Sequence, residues 1–301
     1  MKTWWSLAWM STGWLVAAPV SAQVSPDDVT IRTVHLSGPV HMLIGRGGNI
    51  GVSIGEDGVL IVDDQFAPLA DKIKRAIGKL GEGKIHFILN THWHGDHTGG
   101  NPVFGRDGTI IAHSNVRKRL STVQHLFDRT IQPLPKEGLP VITFDTSLSV
   151  HFNGEEIKAL HLPHGHTDGD SVIFFTKSNV IHMGDDFFNG MYPFVDLDHG
   201  GDVEGLAENV GAVLDLAKPD AKIIPGHGPP ATVDELKTFH AMLVDSIRVV
   251  REGIRKGKTL ADIQRAGMPK RWEKWGNGFI KTPRWLETVY RSLTKEASQD
   301  K

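Results

Sequence analysis

Residues 91–97 read Thr91-His92-Trp93-His94-Gly95-Asp96-His97 and directly follow an apolar run, Ile85-His86-Phe87-Ile88-Leu89. The apolar run predicts a buried strand, so the polar cluster comes where a strand ends and a loop begins. Alternate residues of an extended segment face the same side, which lets His92 and His94 reach one cation. The turn that Gly95 permits sends Asp96 and His97 toward a second position. Imidazole and carboxylate ligands favour Zn²⁺, with Fe or Mn as alternatives, so the cluster predicts a metal site.

The composition limits both the ligands and the partners. The chain of 301 residues has 33 Lys and Arg, 35 Asp and Glu, 16 His and no Cys, with a formal net charge of -2. This charge gives no basic surface for nucleic acid and no polybasic patch for a membrane. Because cysteine is absent, any metal must be held by His, Asp or Glu side chains.

Residues 1–22 have the pattern of a secretory signal peptide. Lys2 precedes an apolar stretch from Trp4 to Ala18, and Pro19-Val20-Ser21-Ala22 supplies small residues for cleavage. The apolar stretch is short for a membrane span and no basic stop follows it, which disfavours a retained anchor. We therefore expect residues 23–301 to form one mature domain, periplasmic or secreted, without a stable membrane anchor.

Hydrophobic alternation predicts strands in two groups, each accompanied by helices. The predicted strands are 30–36, 40–44, 49–54, 59–62, 85–90 and 109–112 in the first group, and 140–144, 147–152, 156–162, 170–175, 180–182 and 221–224 in the second. Helical spacing marks 67–80, 114–120 and 203–217. Two sheets packed face to face with helices outside would satisfy both groups.

Three further segments have less regular patterns. The tail, 233–301, is predicted to be a helical cap docked by aromatic residues: Trp272, Trp275, Phe279, Trp285 and Tyr290. Segment 122–139 is predicted as a loop, either a lid or a connection between halves. The glycine-rich turn at 45–49 is either an ordinary hairpin loop or a flap. These loops supply candidate substrate contacts: Arg46, Phe127 and Leu134.

Three later strand ends carry ligand-type side chains in small-residue loops. They read Leu162-Pro163-His164-Gly165-His166-Thr167-Asp168, Ile181-His182-Met183-Gly184-Asp185-Asp186 and Ile223-Ile224-Pro225-Gly226-His227-Gly228. Loops that leave one edge of a sheet can converge, so we expect these side chains to join the cluster at 91–97.

Taken together, the spaced motifs resemble those of the metallo-β-lactamase superfamily over roughly residues 29–229. The resemblance implies an α+β fold, a four-layer αββα sandwich, here with a C-terminal helical extension. It implies that the first metal is bound by His92, His94 and His166. It implies that the second is bound by Asp96, His97 and His227.

The same resemblance gives Asp185 and Asp63 separate tasks. Asp185 matches the carboxylate that bridges both metals in glyoxalase II-like and lactonase-like members. Asp63 matches the buried aspartate that supports the metal loop from outside the ligand set. His164 and His182 lie within three residues of expected ligands and are candidates for a similar supporting position.

By this resemblance the protein is expected to be a hydrolase of a small molecule. Two zinc ions would share a hydroxide that opens an activated acyl bond, with Asp96 holding the hydroxide in line. A β-lactamase-like activity leads, with lactone or thioester hydrolysis as the alternative. From Asp186 to Ala217 there is no Lys or Arg to meet a β-lactam carboxylate, and the acidic residues there predict an acidic rim that disfavours nucleic acid. They are Asp186, Asp196, Asp198, Asp202 and Glu204.

Two interpretations of another class stay open from the sequence. A di-iron redox protein could use the same scaffold, although such members usually have Glu where His94 stands. A non-catalytic periplasmic metal-binding protein would need the ligands alone.

Overall fold

A computed structural model describes residues 25–299, so the predicted signal peptide at 1–22 lies outside the described residues. The strands in chain order are β1 (Arg32–Ser37), β2 (Val40–Ile44), β3 (Ile50–Gly55), β4 (Gly58–Val62), β5 (Ile85–Asn90), β6 (Thr109–His113), β7 (Gln124–Leu126), β8 (Arg129–Ile131), β9 (Ile142–Phe144), β10 (Ser147–Phe152), β11 (Glu155–His161), β12 (Ser171–Phe175), β13 (Val180–His182), β14 (Lys222–Ile224) and β15 (Ala231–Thr232).

The α-helices are α1 (Ala70–Gly78), α2 (Gly95–Thr98), α3 (Asn101–Phe104), α4 (Ser114–Leu120), α5 (Val203–Leu216), α6 (Val233–Arg255), α7 (Leu260–Ala266) and α8 (Thr282–Gln299). Short 3-10 helices occur at Pro26–Asp28, Ala67–Leu69, Lys136–Gly138, Gly184–Asp186, Leu197–His199 and Lys270–Asn277. Within the described residues, none of the helices is long and apolar enough to cross a membrane.

The first sheet has the order β1-β2-β3-β4-β5-β6-β9. Strands β1 to β4 pair antiparallel, whereas β4, β5, β6 and β9 pair in parallel. Parallel pairing brings the carboxyl ends of β4 and β5 to one edge of the sheet. The residues that follow these two strands, Asp63 and Thr91, therefore become neighbours.

The second sheet has the order β10-β11-β12-β13-β14-β15. Strands β10 to β13 pair antiparallel, and β13 pairs in parallel with β14. Strands β11, β13 and β14 consequently run in the same direction and end at the same edge. The three loops that leave this edge carry His166, Asp185 and His227.

The layer order follows from strands that are buried on both faces. In β4, Leu60 and Val62 pack in a core that also contains Ile173 and Phe175 of the second sheet. The alternate residues of β4 pack in another core with α1. The outer face of the second sheet is covered by α5, α6 and α8. This arrangement confirms the predicted αββα sandwich with a C-terminal helical extension.

The C-terminal helices share the core of the second sheet. Trp285 and Leu286 of α8 are fully buried in the same cluster as Ile181 and Ile223. The indole Nε1 of Trp285 donates to Ser246 Oγ of α6 at 2.8 Å. The predicted aromatic anchoring is thus confirmed for Trp285, but it is wrong for Phe279, whose side chain is 75% exposed.

Segment 122–139 is not a structureless loop, which corrects that prediction. Strands β7 and β8 form a hairpin, and its turn residues Phe127 and Asp128 have left-handed φ angles of 49° and 58°. In sequences, such a turn is normally marked by Asn-Gly or Asp-Gly. Phe-Asp at these positions, between strands of three residues, gave no such signal.

Candidate metal centre

The loop after β5 and the three loops of the second sheet meet at one place. His92, His94, His166 and Asp185 each offer one ligand atom, and these atoms lie within 4.8 Å of one another. All four residues are buried. Within the described residues, the first metal-binding group expected from the sequence is therefore assembled, together with Asp185.

A second group of the same kind lies beside the first. It consists of Asp96, His97 and His227, again with their ligand atoms within 4.8 Å. The side chains of Asp96 and His227 are 30% and 24% exposed, whereas His97 is buried. This second group is therefore the side from which a small molecule can approach.

Asp185 lies between the two groups. Its Oδ2 is 3.4 Å from His166 Nε2 and 3.8 Å from His92 Nε2. Its Oδ1 is 3.0 Å from His97 Nε2 and 3.4 Å from His227 Nε2. Each oxygen thus faces a different set of imidazoles, which is the placement that a bridging carboxylate needs.

Two glycines make this close approach possible. A Cβ at Gly226 would overlap Asp185 Oδ1, and a Cβ at Gly48 would overlap the imidazole of His97. The Gly226 amide also donates to Gly184 O at 2.7 Å, which ties the loop of His227 to that of Asp185. Only a residue without a side chain fits at either position.

Most of the imidazoles are oriented through the nitrogen that faces away from the cluster. His92 Nδ1 lies 3.0 Å from Thr91 Oγ1, and His166 Nδ1 lies 2.7 Å from Phe194 O. Such outer contacts fix the ring and its tautomer, and leave the other nitrogen to bind a cation.

Asp63 connects the end of β4 to the ligand loop. Its Oδ1 accepts from Thr91 N at 2.8 Å, and its Oδ2 accepts from Thr91 Oγ1 and His97 Nδ1, both at 2.7 Å. The residue is fully buried and has a left-handed φ of 63°, an uncommon backbone conformation for a residue other than glycine. The structure places Asp63 where it supports the loop, as the resemblance implied.

Several buried ligand atoms of the two groups lack hydrogen-bond partners, as expected of atoms that bind a cation. His92 Nε2, His97 Nε2 and Asp185 Oδ1 are buried and have no hydrogen-bond partner among the described residues. His97 Nε2 and Asp185 Oδ1 are close, yet they are not aligned for a hydrogen bond. Buried polar atoms without partners are rare in proteins, and here they converge with other nitrogen and oxygen donors. The residues present therefore fit a pair of divalent cations.

Charge distribution supports the same conclusion. Burial lowers the pKa of His166 to about 4 and that of His92 well below its usual range. Both imidazoles are therefore neutral, and each can donate a nitrogen lone pair to a cation. Burial opposes ionisation of Asp185, but His227 and His97 outweigh it and hold the pKa of Asp185 well below its usual range. Burial likewise opposes protonation of His227, but Asp185 raises its pKa to about 9. A cation would replace the protons that the second group attracts.

The other residues expected near the site have different positions. His182 is buried, with Nε2 3.1 Å from Asn49 O and Nδ1 accepting from Gly184 N at 3.1 Å, so it holds the turn into Asp185. His164 is exposed and has a left-handed φ of 56°. Its side chain makes no hydrogen bond to a ligand residue in the described part of the chain.

The three candidate substrate contacts lie in different parts of the structure. Arg46 is exposed in the turn whose Gly48 amide donates to Asp96 O at 3.1 Å. Phe127 lies at the tip of the β7–β8 hairpin, and its ring contacts that of Phe194. Phe194 in turn contacts the metal-ligand candidates His94 and His166. Leu134 packs with the apolar cluster around Trp93, which is a structural position.

Asp196 was not recognised from the sequence as part of the site. The sequence predicts Asp196 only as part of the acidic rim, but the residue is 2% exposed, and its Oδ2 lies 2.8 Å from His94 Nε2. Its Oδ1 lies 2.8 Å from His199 Nδ1. Asp186 is also buried, and Asp202 accepts from the first amides of α5. The predicted acidic rim is therefore wrong for Asp186 and Asp196, whereas Asp202 is only partly buried.

Replacing Asp196 by asparagine is expected to weaken metal binding by about 10–100-fold, because the contact that orients His94 is lost. Competition titration with a chromophoric chelator measures the affinity. Asp198→Asn is the matched control, since the Asp198 side chain is 75% exposed and forms an ion pair with Arg291 at the surface. An unchanged affinity in Asp196→Asn would contradict the orienting role.

Comparison with known proteins gives the site a family context. The family model of the metallo-beta-lactamase superfamily matches residues 43–227, more than half of the chain. The lactamase-like protein aptB of Emericella nidulans is 27% identical over 69% of this chain and 60% of its own length. The hydroxyacylglutathione hydrolase of Nitrosococcus oceani is 30% identical over 60% of this chain and 62% of its own length. The chain thus spans less than two thirds of these relatives.

The fold is also similar to that of solved structures of metallo-beta-lactamases. The crystal structure of DIM-1 metallo-beta-lactamase superposes with a TM-score of 0.57 and 18% identity, over 72% of this chain and 98% of the other. At this identity the superposition shows the shared fold. With the family model spanning the ligand loops from β2 to His227, the chain belongs to the metallo-β-lactamase superfamily.

Proposed function

We propose that the protein is a metal-dependent hydrolase that opens an activated acyl bond of a small molecule. The observation that carries this proposal is the position of Asp185, whose two oxygens face two separate groups of ligands. A protein that merely stores one ion needs only one group, whereas hydrolases with two metals use a shared ligand between them.

The donor set supports zinc as the native metal. All candidate ligand atoms are imidazole nitrogens or carboxylate oxygens, which suit Zn²⁺, with Fe or Mn as the competitors. When bound, two such ions polarise an acyl carbonyl and lower the pKa of a water molecule between them.

Asp96 is the residue that we assign to orienting the attacking water. Burial opposes its ionisation, but His97 and His227 outweigh burial and hold the pKa of Asp96 at about 2. Its carboxylate is therefore charged at neutral pH and accepts a hydrogen bond. Its Oδ2 lies 3.3 Å from His227 Nε2 at the exposed side of the site, where a substrate arrives.

The scissile bond that we favour is a thioester or lactone, with a β-lactam as the second candidate. The bridging placement of Asp185 and the likeness to a hydroxyacylglutathione hydrolase support the first. The β-lactamase fold supports the second, although a cationic side chain for a β-lactam carboxylate is missing from 186–217.

A substrate panel on protein of known metal content tests this proposal. Zinc-loaded protein should hydrolyse at least one of three probes: an S-acyl glutathione, a γ-lactone or the β-lactam nitrocefin. Chelation should abolish turnover and added zinc should restore it. Iron as the bound metal with no hydrolysis would favour a redox protein, and zinc without any turnover would favour a binding protein; either result would overturn the proposal.

A further inference from the structure

A row of aromatic rings leads from the metal centre to the surface. The ring of Phe194 lies 5.7 Å from His94 and 5.8 Å from His166, between ring centroids. Phe127 lies 4.7 Å from Phe194, and Phe279 lies 6.2 Å from Phe127. The row therefore joins the ligand loops, the β7–β8 hairpin and the C-terminal cap.

The outer two rings do not contribute to a core. Phe127 is 51% exposed and Phe279 is 75% exposed, so neither recovers the hydrophobic free energy that full burial gives. Phe127 is also held at a left-handed φ of 49°, a conformation that bulky side chains rarely adopt. Two exposed rings in contact with each other gain burial when an apolar group binds against them.

A cavity adjoins two of these rings, Phe194 and Phe127. It has a volume of about 660 Å³ and lies between the β7–β8 hairpin, the segment 194–198 and α8. Pockets for small molecules typically have volumes of about 300–1,000 Å³. Arg129, Arg284 and Arg291 also line it, so the far end of a bound molecule can be polar. The cavity is large enough for an acyl chain of several carbon atoms.

We propose that Phe194, Phe127 and Phe279 form a binding surface for an extended apolar acyl group, which makes long-chain or aryl acyl compounds the substrate class. This inference rests on the proposed hydrolase function, because it assumes that the acyl carbonyl lies at the metal centre. It gives the C-terminal cap a role in specificity through Phe279, beyond its contribution to the core.

Acyl thioesters of one thiol, from acetyl to octanoyl, test the inference. In the unaltered zinc-loaded protein, kcat/KM should rise with chain length, by at least about tenfold from acetyl to octanoyl, as apolar area becomes buried. In the double variant Phe127→Ala/Phe279→Ala the octanoyl preference should disappear, so that the ratio of the octanoyl to the acetyl kcat/KM falls to about one. Both side chains are exposed, so the variant should fold.

The control is Val141→Ala/Leu216→Ala, which removes exposed apolar side chains that belong neither to the row of rings nor to the lining of the cavity. It should keep the octanoyl preference. A kcat/KM that is independent of chain length in the unaltered protein, or a preference that survives in the Phe variant, would overturn the inference.

A binding measurement separates this inference from the hydrolase proposal. Calorimetric titration with octanoate should show binding at least about tenfold tighter than with propionate, and the double variant should lose that difference. If no thioester, γ-lactone or nitrocefin is cleaved but octanoate still binds more tightly than propionate, the hydrolase proposal fails and the apolar surface stands. If the double variant instead loses binding to phosphatidylcholine vesicles and keeps its octanoate affinity, the surface contacts lipid and the inference fails.

Discussion

The Asp185→Asn variant is expected to lose hydrolysis and to bind fewer than two metal ions per chain. Asp185 is buried, and His227 and His97 both lie close to its Oδ1. Substituting residues that only support metal ligands already lowers metal affinity by about 10–100-fold, so loss of a ligand shared by both cations should lower it by at least about 100-fold. Elemental analysis after gel filtration, together with steady-state turnover, measures both effects.

Asp215→Asn is the matched control for this variant. Asp215 is exposed on α5, so the substitution removes one carboxylate without touching the metal centre. It should retain full metal content and full turnover. If Asp185→Asn behaved like Asp215→Asn, the shared-ligand position of Asp185 would be refuted.

Trp285→Ala should destabilise the protein by about 3–5 kcal/mol, the usual cost of truncating a buried tryptophan. The side chain is fully buried, its ring stacks on Tyr192 with centroids 5.7 Å apart, and its Nε1 donates to Ser246. The substitution leaves a cavity between the C-terminal cap and the second sheet. Urea unfolding followed by circular dichroism measures the free energy of unfolding.

Leu216→Ala should change the free energy of unfolding by no more than about 0.5 kcal/mol, since Leu216 is 60% exposed. A loss below 1 kcal/mol in Trp285→Ala would show that α8 is an appendage and not part of the core.

The ligand loops could be predicted because the information is local. Each motif joins a strand end to small residues and one or two ligand-type side chains, as in Gly226-His227. The nearly continuous apolar runs of β4 and β5 likewise indicate strands buried on both faces, which only a layered fold can satisfy. The two ligand groups assemble because β5, β11, β13 and β14 end near one another.

The orientation of the ligands could not be predicted, because it depends on residues that are distant in sequence. Asp196 contacts His94 across 102 positions, and in the sequence it is one more acidic residue of a loop. Phe279 belongs to a run of aromatic residues in which Trp272 and Trp285 are buried and Trp275 is partly buried. Only the packing of the cap distinguishes the exposed ring from its buried neighbours.

The most direct test of the dinuclear site is the number of metal ions per chain in the purified protein. Inductively coupled plasma mass spectrometry on the zinc-loaded protein should give two ions per chain, falling to one or none in Asp185→Asn. One ion per chain in the unaltered protein, or two ions retained in Asp185→Asn, would contradict a site in which Asp185 is shared by two metals.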